Sequence, residues 1–443
     1  MSNKPKLALI STWKTACGIA AFAHKMVPGL EEKFDVDVFP LDQSIIKANE
    51  KKIVKLGDKL INEIAVKLKN YDLVNIQFEP GIFGNSPKDI FRRLFKLIDN
   101  SPKCYITFHT IKQGTKFRYA ALTKLAITKP IKAIDYWNNR GLDVQYIKMY
   151  DKLNTSKYSH VFCHYHTKSA QRYVNVRYKN IKTINFPLTF ISAEDKKKYK
   201  ANAANDRQWI IDKYDLPQDS KIISCYGFIS KYKGFDTVIN TLFQLPKEYK
   251  LCIFGAVHPN SIKLFGSTDE YLDDLLGQIS RKEKGIPDIV ETLIDSDKEL
   301  SFSLQDVKKL YQEPTDQDQK GRVVFGGSLD DDDFERAING SDINVMSYME
   351  VGQTSSGPIA LSLDLSKNTI STYNKCFLQL KKYAPNCFDM FDIGNHLQLK
   401  KLIELQDAGK HNNSGIEAYT ETYSLENRAD QIYNTYLEIN AKK

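Results

Sequence analysis

The sequence lacks several features that would narrow its class at once. No apolar run approaches the ~18 residues needed to cross a bilayer. The N-terminal MSNKPKLALISTW breaks off at Thr12, Trp13 and Lys14, too early for a secretory apolar region. Both absences lead us to expect a cytoplasmic protein, at most peripheral on the inner face of the membrane. The seven cysteines (17, 104, 163, 225, 252, 376 and 387) include no C-x-x-C pair and are odd in number. That argues against a disulfide framework or zinc site and for reduced, mostly buried thiols. There is no internal repeat, no low-complexity tract, and no D-x-D at an expected strand end.

What remains is the composition of a soluble globular protein, with 42% hydrophobic and 26% charged residues. At 443 residues the chain exceeds the ~250–300 at which single cores stop growing. Two domains are therefore expected. The net charge of +9 is unevenly placed: residues 101–185 carry 16 Lys and Arg against 3 acidic residues, so the rest of the chain is net acidic. Such a field points to an anionic partner or to a solvated lysine face, and the sequence leaves both open.

Strand and helix patterns alternate along the chain. Short apolar runs at Leu7–Ile10, Val36–Phe39, Leu73–Gln77, Cys104–Phe108, Val161–His164 and Ile181–Asn185 are separated by helical periodicity at 51–68 and 90–98. Residues 192–207, SAEDKKKYKANAANDR, have almost no aliphatic side chains beyond alanine and read as a linker. A second series follows, with strands at Lys221–Tyr226, Lys250–Phe254, Val323–Phe325, Asp342–Met346 and Thr369–Ser371 and a helix at 235–245. The pattern predicts an α/β protein of two Rossmann-like domains whose parallel sheets face each other across a cleft. The boundaries expected are 1–190 for an N-terminal acceptor domain, 191–207 for the linker and 208–414 for a C-terminal donor domain with an insertion at 259–320. A terminal helix within 415–443 is expected to pack back toward the first domain.

Ligands of open parallel sheets bind beyond the carboxyl ends of the strands, and three glycine-containing loops fall there. In STWKTACGIAAFAH, Gly18 stands between a strand and a helix. In YGFISKYKGFDTVI, Lys231 and Lys233 follow a strand and Gly234 precedes a helix, where ammonium charge and helix dipole both favour a diphosphate. In EVGQTSSGPIALSLDL, Gly352, Gln353, Thr354, Ser355, Ser356 and Gly357 lead into a helix opened by Pro358, a plausible anion nest. The acidic run LDDDDFE at 329–335 reads as a helix start favoured by the dipole rather than as a metal site.

Taken in order, TACGIAAF, NIQFEPGIFG, ITFHT, YGFISKYKGFDTVINTL, CIFGAVHP, SDINVMSY and GQTSSGPIALSLDLSKNTIST resemble the retaining GT-B glycosyltransferases of family 4. The resemblance spans nearly the whole chain apart from the basic stretch 112–150, the linker and the insertion. It implies transfer of a sugar, with retention and without metal or cofactor, from a UDP- or GDP-sugar to an acceptor hydroxyl. The donor would sit on the C-terminal domain.

By the same resemblance, Lys233 is the donor-phosphate lysine, Gly18 lies in the loop that approaches the phosphates, and His109 stands near the transferred sugar. Glu79 follows the Q of NIQFE, and Glu350 with 352–357 forms the donor turn. Two positions depart from the family. Phe228 occupies the place of its usual arginine, which leaves Lys231 as the second cation, and the glutamate expected eight residues after Glu350 is Pro358. The basic region interleaves Lys112, Lys116, Arg118, Lys124 and Arg140 with aromatics such as Trp137. It could meet an anionic membrane carrying a lipid-linked or surface-polysaccharide precursor, or a nucleic acid. A transferase acting on a hydroxylated nucleobase in DNA, and a non-catalytic nucleotide-sugar-binding protein, are the alternatives.

Overall fold

The computed structural model describes residues 4–15, 17–112, 119–257, 262–263, 267–268, 270–280, 321–350, 352 and 354–441. It divides into two compact units, one comprising Met1–Leu188 with Leu425–Lys443 and the other Thr189–Ser424. Each is built on a six-stranded sheet in which every pairing is parallel.

In the first unit β1 (Lys6–Ser11), β2 (Asp35–Pro40), β3 (Leu73–Phe78), β4 (Cys104–Phe108), β5 (Val161–Tyr165) and β6 (Lys182–Asn185) lie in the order β2-β1-β3-β4-β5-β6. In the second, β7 (Lys221–Tyr226) and β8 (Tyr249–Phe254) are followed by a small antiparallel pair, β9 (Ile262–Lys263) and β10 (Ser267–Thr268). β11 (Val323–Gly327), β12 (Ile343–Met346), β13 (Thr369–Thr372) and β14 (Asp389–Phe391) complete its sheet in the order β11-β8-β7-β12-β13-β14. Strand order therefore reverses between β1 and β3 in one sheet and between β7 and β12 in the other. Those reversals are where doubly wound sheets open a crevice for ligands.

The first sheet is two-faced. Ile76, Phe78, Ile106, Phe108, Cys163 and Tyr165 form one face with the helices Lys51–Lys67, Pro87–Ile98 and Pro130–Leu153, a contiguous apolar core. Phe78 alone makes ring contacts with Phe83, Phe91, Phe108 and Tyr146. The alternate residues, Asn75, Gln77, Tyr105, Thr107 and His164, project to the other face and are just as fully buried. The helices Gly18–Glu31 and Leu425–Ala441 cover them, meeting where Gly29 lets Ala429 approach to methyl contact.

The sequence reading and the structure part in three places. Residues 191–207, expected to be a linker, form most of the helix Ala193–Lys213, capped by Ser192 and packed on the helix Asp331–Gly340. Its interface is polar and close rather than apolar. Buried Asp206 accepts hydrogen bonds from Arg336 and Asn339, Tyr199 donates to Glu335, and a Cβ on Gly340 would meet the Asp206 carbonyl at 2.5 Å. Such a helix leaves no aliphatic periodicity to read.

Within the expected insertion, the helix Glu270–Ser280 is integral to the second unit, since Leu272, Leu275, Leu276 and Ile279 join its core. Residues 281–320 lie outside the described residues. The expected single terminal helix is two, Ile416–Thr422 and Leu425–Ala441, and the boundary between units falls in the break. The acidic run 330–333 does start a helix, with Asp330 accepting the Asp333 N–H.

Candidate functional site

The strand ends at both reversals gather polar side chains, and each unit is described in turn. In the second unit the loops after β7 and β12 are knitted together: Ser347 Oγ donates to the Lys233 carbonyl at 2.7 Å and Met349 N–H to the Tyr232 carbonyl at 2.7 Å. Gly234 adopts φ +65°, and a Cβ there would collide with the Ser347 carbonyl. Only glycine fits that turn without strain. The turn folds Lys233 inward, leaving it 5% exposed, with Nζ donating to Tyr348 Oη at 2.6 Å and lying 3.8 Å from the ring centroid. Gly227 has no side chain where the lysine passes, since a Cβ would lie 2.8 Å from Nζ. Burial pushes the Lys233 amine down to about 7, partly opposed by the Cys225 and Cys376 thiols.

Tyr348 is fixed in turn by Thr372 Oγ1, which donates to its carbonyl at 2.6 Å, and by Ser356 Oγ, which donates to its hydroxyl at 3.3 Å. Ser356 stands at the N-terminus of the helix Gly357–Asp364, whose first turn has neither a side-chain cap nor an acidic residue. Its N–H groups are directed past Gly357 with the positive end of the helix dipole. Thr354 and Ser355 are half-buried in the same turn. Glu350 is exposed and its carboxylate accepts from the Gly352 and Lys375 N–H groups at 3.3 and 2.8 Å, so it braces the loop. Lys231 and Phe228 are exposed, Phe228 by 47%. Gln353 lies outside the described residues.

In the first unit the helix Gly18–Glu31 also begins with no side-chain cap and no acidic residue in its first turn. Gly18 is exposed and a Cβ on it would meet nothing within 4 Å. His109 follows β4 directly. Its Nε2 is 2.9 Å from Gln77 Oε1, and Gln77 Nε2 donates to Asn75 Oδ1 at 2.8 Å. That chain makes Gln77 Oε1 the acceptor and places the imidazole proton on Nε2, leaving Nδ1 as an acceptor. Burial, reinforced by the charge of Arg428, pushes His109 down to about 3, so it is neutral at physiological pH. Glu79, after β3, is half-buried and its carboxyl is raised by burial against a Thr110 hydrogen bond and the charge of Lys112. Lys112 is half-buried, Lys124 is exposed on the helix Tyr119–Thr128, and Trp137 and Arg140 lie on the helix Pro130–Leu153. Lys116 and Arg118 lie outside the described residues.

Four groups that motif reasoning passed over stand out in this geometry: Gln77, Tyr348, His166 and Arg428. Gln77 and His166 left a signal, because NIQFE, YITFHT and VFCHYH alternate polar and apolar residues in strands that a covered parallel sheet should make apolar throughout. Among the described residues no group of three His, Cys, Asp or Glu is placed to hold a metal ion, and no helix is long and apolar enough to cross a membrane. All seven cysteines are free, and six are buried.

No family model and no curated protein matches the sequence. Solved structures do match along their full length. The chain is similar to HepE from Anabaena in complex with UDP and glucose (TM-score 0.56, 13% identity, covering 97% of this chain and 99% of that one). It is similar to a glycosyltransferase from Rickettsia africae ESF-5 (TM-score 0.60, 13% identity, 98% and 99%). It is also similar to sucrose-phosphate synthase from Thermosynechococcus elongatus (TM-score 0.61, 13% identity, 99% and 100%). The chain has the two-sheet GT-B fold of these structures. At such identity the likeness is one of fold, and the site has to speak for the chemistry.

Proposed function

We propose that this protein is a glycosyltransferase that takes a nucleotide diphosphate sugar as donor and transfers the sugar to a hydroxyl with retention. The observation that carries the reading is the constellation of Lys233, the turn 354–357 and the uncapped helix Gly357–Asp364 at the strand reversal of the second sheet. A buried amine beside free helix N–H groups is built for a dianionic leaving group, because charge forming on the departing diphosphate meets fixed donors. Without ligand the amine rests on Tyr348 near its titration point, and an arriving diphosphate would hold it protonated. HepE, with the same fold, was crystallised with UDP and with UDP-glucose.

In this reading the reaction needs no metal, and His109 stays neutral and orients the transferred sugar through Nδ1. Phe228, where the resembled family has arginine, leaves the diphosphate with a single buried cation. The acceptor is a lipid-linked or surface-polysaccharide precursor reached at an anionic membrane. Ile127 and Ile131, 85% and 83% exposed, sit among the exposed Lys124, Lys129 and Lys132 and could seat there.

A thermal-shift panel of UDP, GDP, ADP and CMP with their common sugar conjugates tests the donor reading. A selective rise with one nucleoside diphosphate is expected, followed by sugar transfer in the presence of lipid acceptors. Binding without hydrolysis or transfer would leave a nucleotide-sugar-binding protein instead. Sugar incorporated into hydroxylated duplex DNA would replace the membrane acceptor.

A further inference from the structure

The helix layer over the apolar face of the first sheet holds a concavity that the strand-end chemistry does not use. It is a cavity of about 600 Å³ between the helices Lys51–Lys67, Pro87–Ile98 and Pro130–Leu153, a volume typical of small-ligand sites. Its floor is apolar, since Ile61, Phe91, Phe95 and Met149 line it and are themselves buried. Its walls are cationic. Lys88, Arg92 and Lys96 stand at i, i+4 and i+8 on one helix, a stripe ~12 Å long, and Lys148 and Lys152 stand at i and i+4 on another.

The acidic side chains of the cavity are already committed. Asp58 accepts from Arg92 and from Arg93 Nε at 2.8 Å each, and Arg92 also donates to Asp89 at 2.7 Å. Asp99 accepts from Tyr158 Oη at 2.8 Å and pairs with Lys157 at 3.2 Å and with Lys152 at 3.9 Å. Lys88, Lys96 and Lys148 are exposed, and among the described residues none of their ammonium groups pairs with a carboxylate. Lys96 and Lys152 stand in last turns, where the helix dipole favours a cation, but Lys88 stands in a first turn, where it does not, and like charges at i, i+4 repel. Helix energetics therefore do not account for the set. Lys152 Nζ lies 3.6 Å from the centroid of the Phe95 ring, and burial lowers its pKa against the charge of Asp99. Cations gathered in a concavity and partly withdrawn from water are stabilised by an anion that enters it.

We infer that this cavity binds a small ligand bearing a linear polyphosphate group, whose successive phosphates are met by Lys88 and Lys96 from one helix and by Lys148 and Lys152 from the other. A stripe of ~12 Å is longer than one phosphate or carboxylate can neutralise. A concavity of this volume suits a compact ligand rather than the ~800 Å² per partner that a stable protein contact covers. Such a site stands apart from the transferase reading, because it lies wholly in the first unit and shares no residue with the constellation around Lys233. Two sources could supply the group, a nucleoside triphosphate or an inorganic polyphosphate chain.

Calorimetric titration of the full chain with inorganic tripolyphosphate, ATP and orthophosphate, at low and high salt, tests the site. Tripolyphosphate is expected to bind about tenfold or more tightly than orthophosphate, the effect of one further charge-assisted contact, and to weaken as salt rises. Lys96→Glu and Lys148→Glu, both at exposed positions, should each weaken tripolyphosphate about tenfold or more while leaving UDP binding and the melting temperature nearly unchanged. Lys233→Ala should leave tripolyphosphate binding as it was. Tighter binding of ATP than of tripolyphosphate would support the site with a nucleotide as its source, and the reverse order would support it with an inorganic chain. Equal binding of orthophosphate and tripolyphosphate, an unaltered double variant Lys96→Glu with Lys148→Glu, or loss of tripolyphosphate binding in Lys233→Ala would overturn the inference. Absence of tripolyphosphate binding would also overturn it, and capture by phosphatidylglycerol vesicles in that case would assign the lysines to a membrane surface.

Discussion

The two sheets follow one topological rule and spend it differently. At the strand ends of the second, a single cation, Lys233, is buried against an aromatic ring and small residues surround it. At those of the first, the imidazoles of His164 and His166 and the Arg428 guanidinium share one buried face with Gln77, Thr107 and Asn75, and His109 stands half-buried at its edge. In the proposed function, the arrangement around Lys233 receives a ligand that brings its own charge to one amine. The other is a polar layer within the sheet, where Gln77 links His109 to Asn75 and Arg428 lies against His164 while Ser11 Oγ and Thr107 Oγ1 stay unpartnered. Equivalent positions on equivalent scaffolds therefore carry different chemistry, and the side chains on alternate strand residues decide which.

Breaking that contrast should have its largest effect in the second unit. Gly234→Ala forces a methyl against the Ser347 carbonyl in a left-handed turn. It is expected to cost about 3 kcal/mol of stability, read as a lowered melting midpoint in denaturant. Lys233→Ala should keep the fold and reduce turnover ~100-fold or more with whichever nucleotide sugar proves to bind. Near-normal turnover would remove Lys233 from its proposed role.

Acidification should next separate the units by their opposite titrations. His109 is held down to about 3, and burial holds His164 and His166 well below their ordinary value. The unfolded chain protonates its histidines near ~6.5, so it binds more protons than the native first unit below that pH. Stability present above that pH is then lost as pH falls, by up to about 1.4 kcal/mol per histidine per pH unit.

In the second unit the buried Asp364 accepts from Thr189, Phe190 and Ile191, and burial pushes it up to about 7. There the native state binds the extra proton between about 4 and 7, so the same acidification stabilises. Hydrogen exchange at falling pH, corrected for the intrinsic rate, should show β4 and β5 opening before β12 and β13. Equal loss of protection in both sheets would contradict this.

The smallest contrast concerns helix starts. Asp330→Ala removes a cap bonded to the Asp333 N–H and should cost about 1 kcal/mol. Ser356→Ala removes no such bond and should leave the melting temperature nearly unchanged while weakening nucleotide binding.

The strands, their parallel alternation and the three loops at strand ends were legible because periodicity and glycine placement are local properties. The helix Ala193–Lys213 was not, since it is held by Asp206, Tyr199 and the bare Gly340 rather than by an aliphatic stripe. Lys233 was singled out by its place between strand and helix and His109 by the family resemblance, but their environments were not legible. Nothing around YKG says that the amine turns inward onto Tyr348, a residue more than a hundred positions away.

Composition and pattern by themselves determined an α/β chain with two sheets, free cysteines and a lysine between strand and helix, because each follows from residues near one another in sequence. Only the tertiary structure decided that Gln77, Thr107, His164 and His166 form one row and that Arg428, from the last helix, lies beneath it with no carboxylate against it among the described residues. Register and burial are set by packing between distant segments, and the cost of an unpaired charge exists only once water has been excluded.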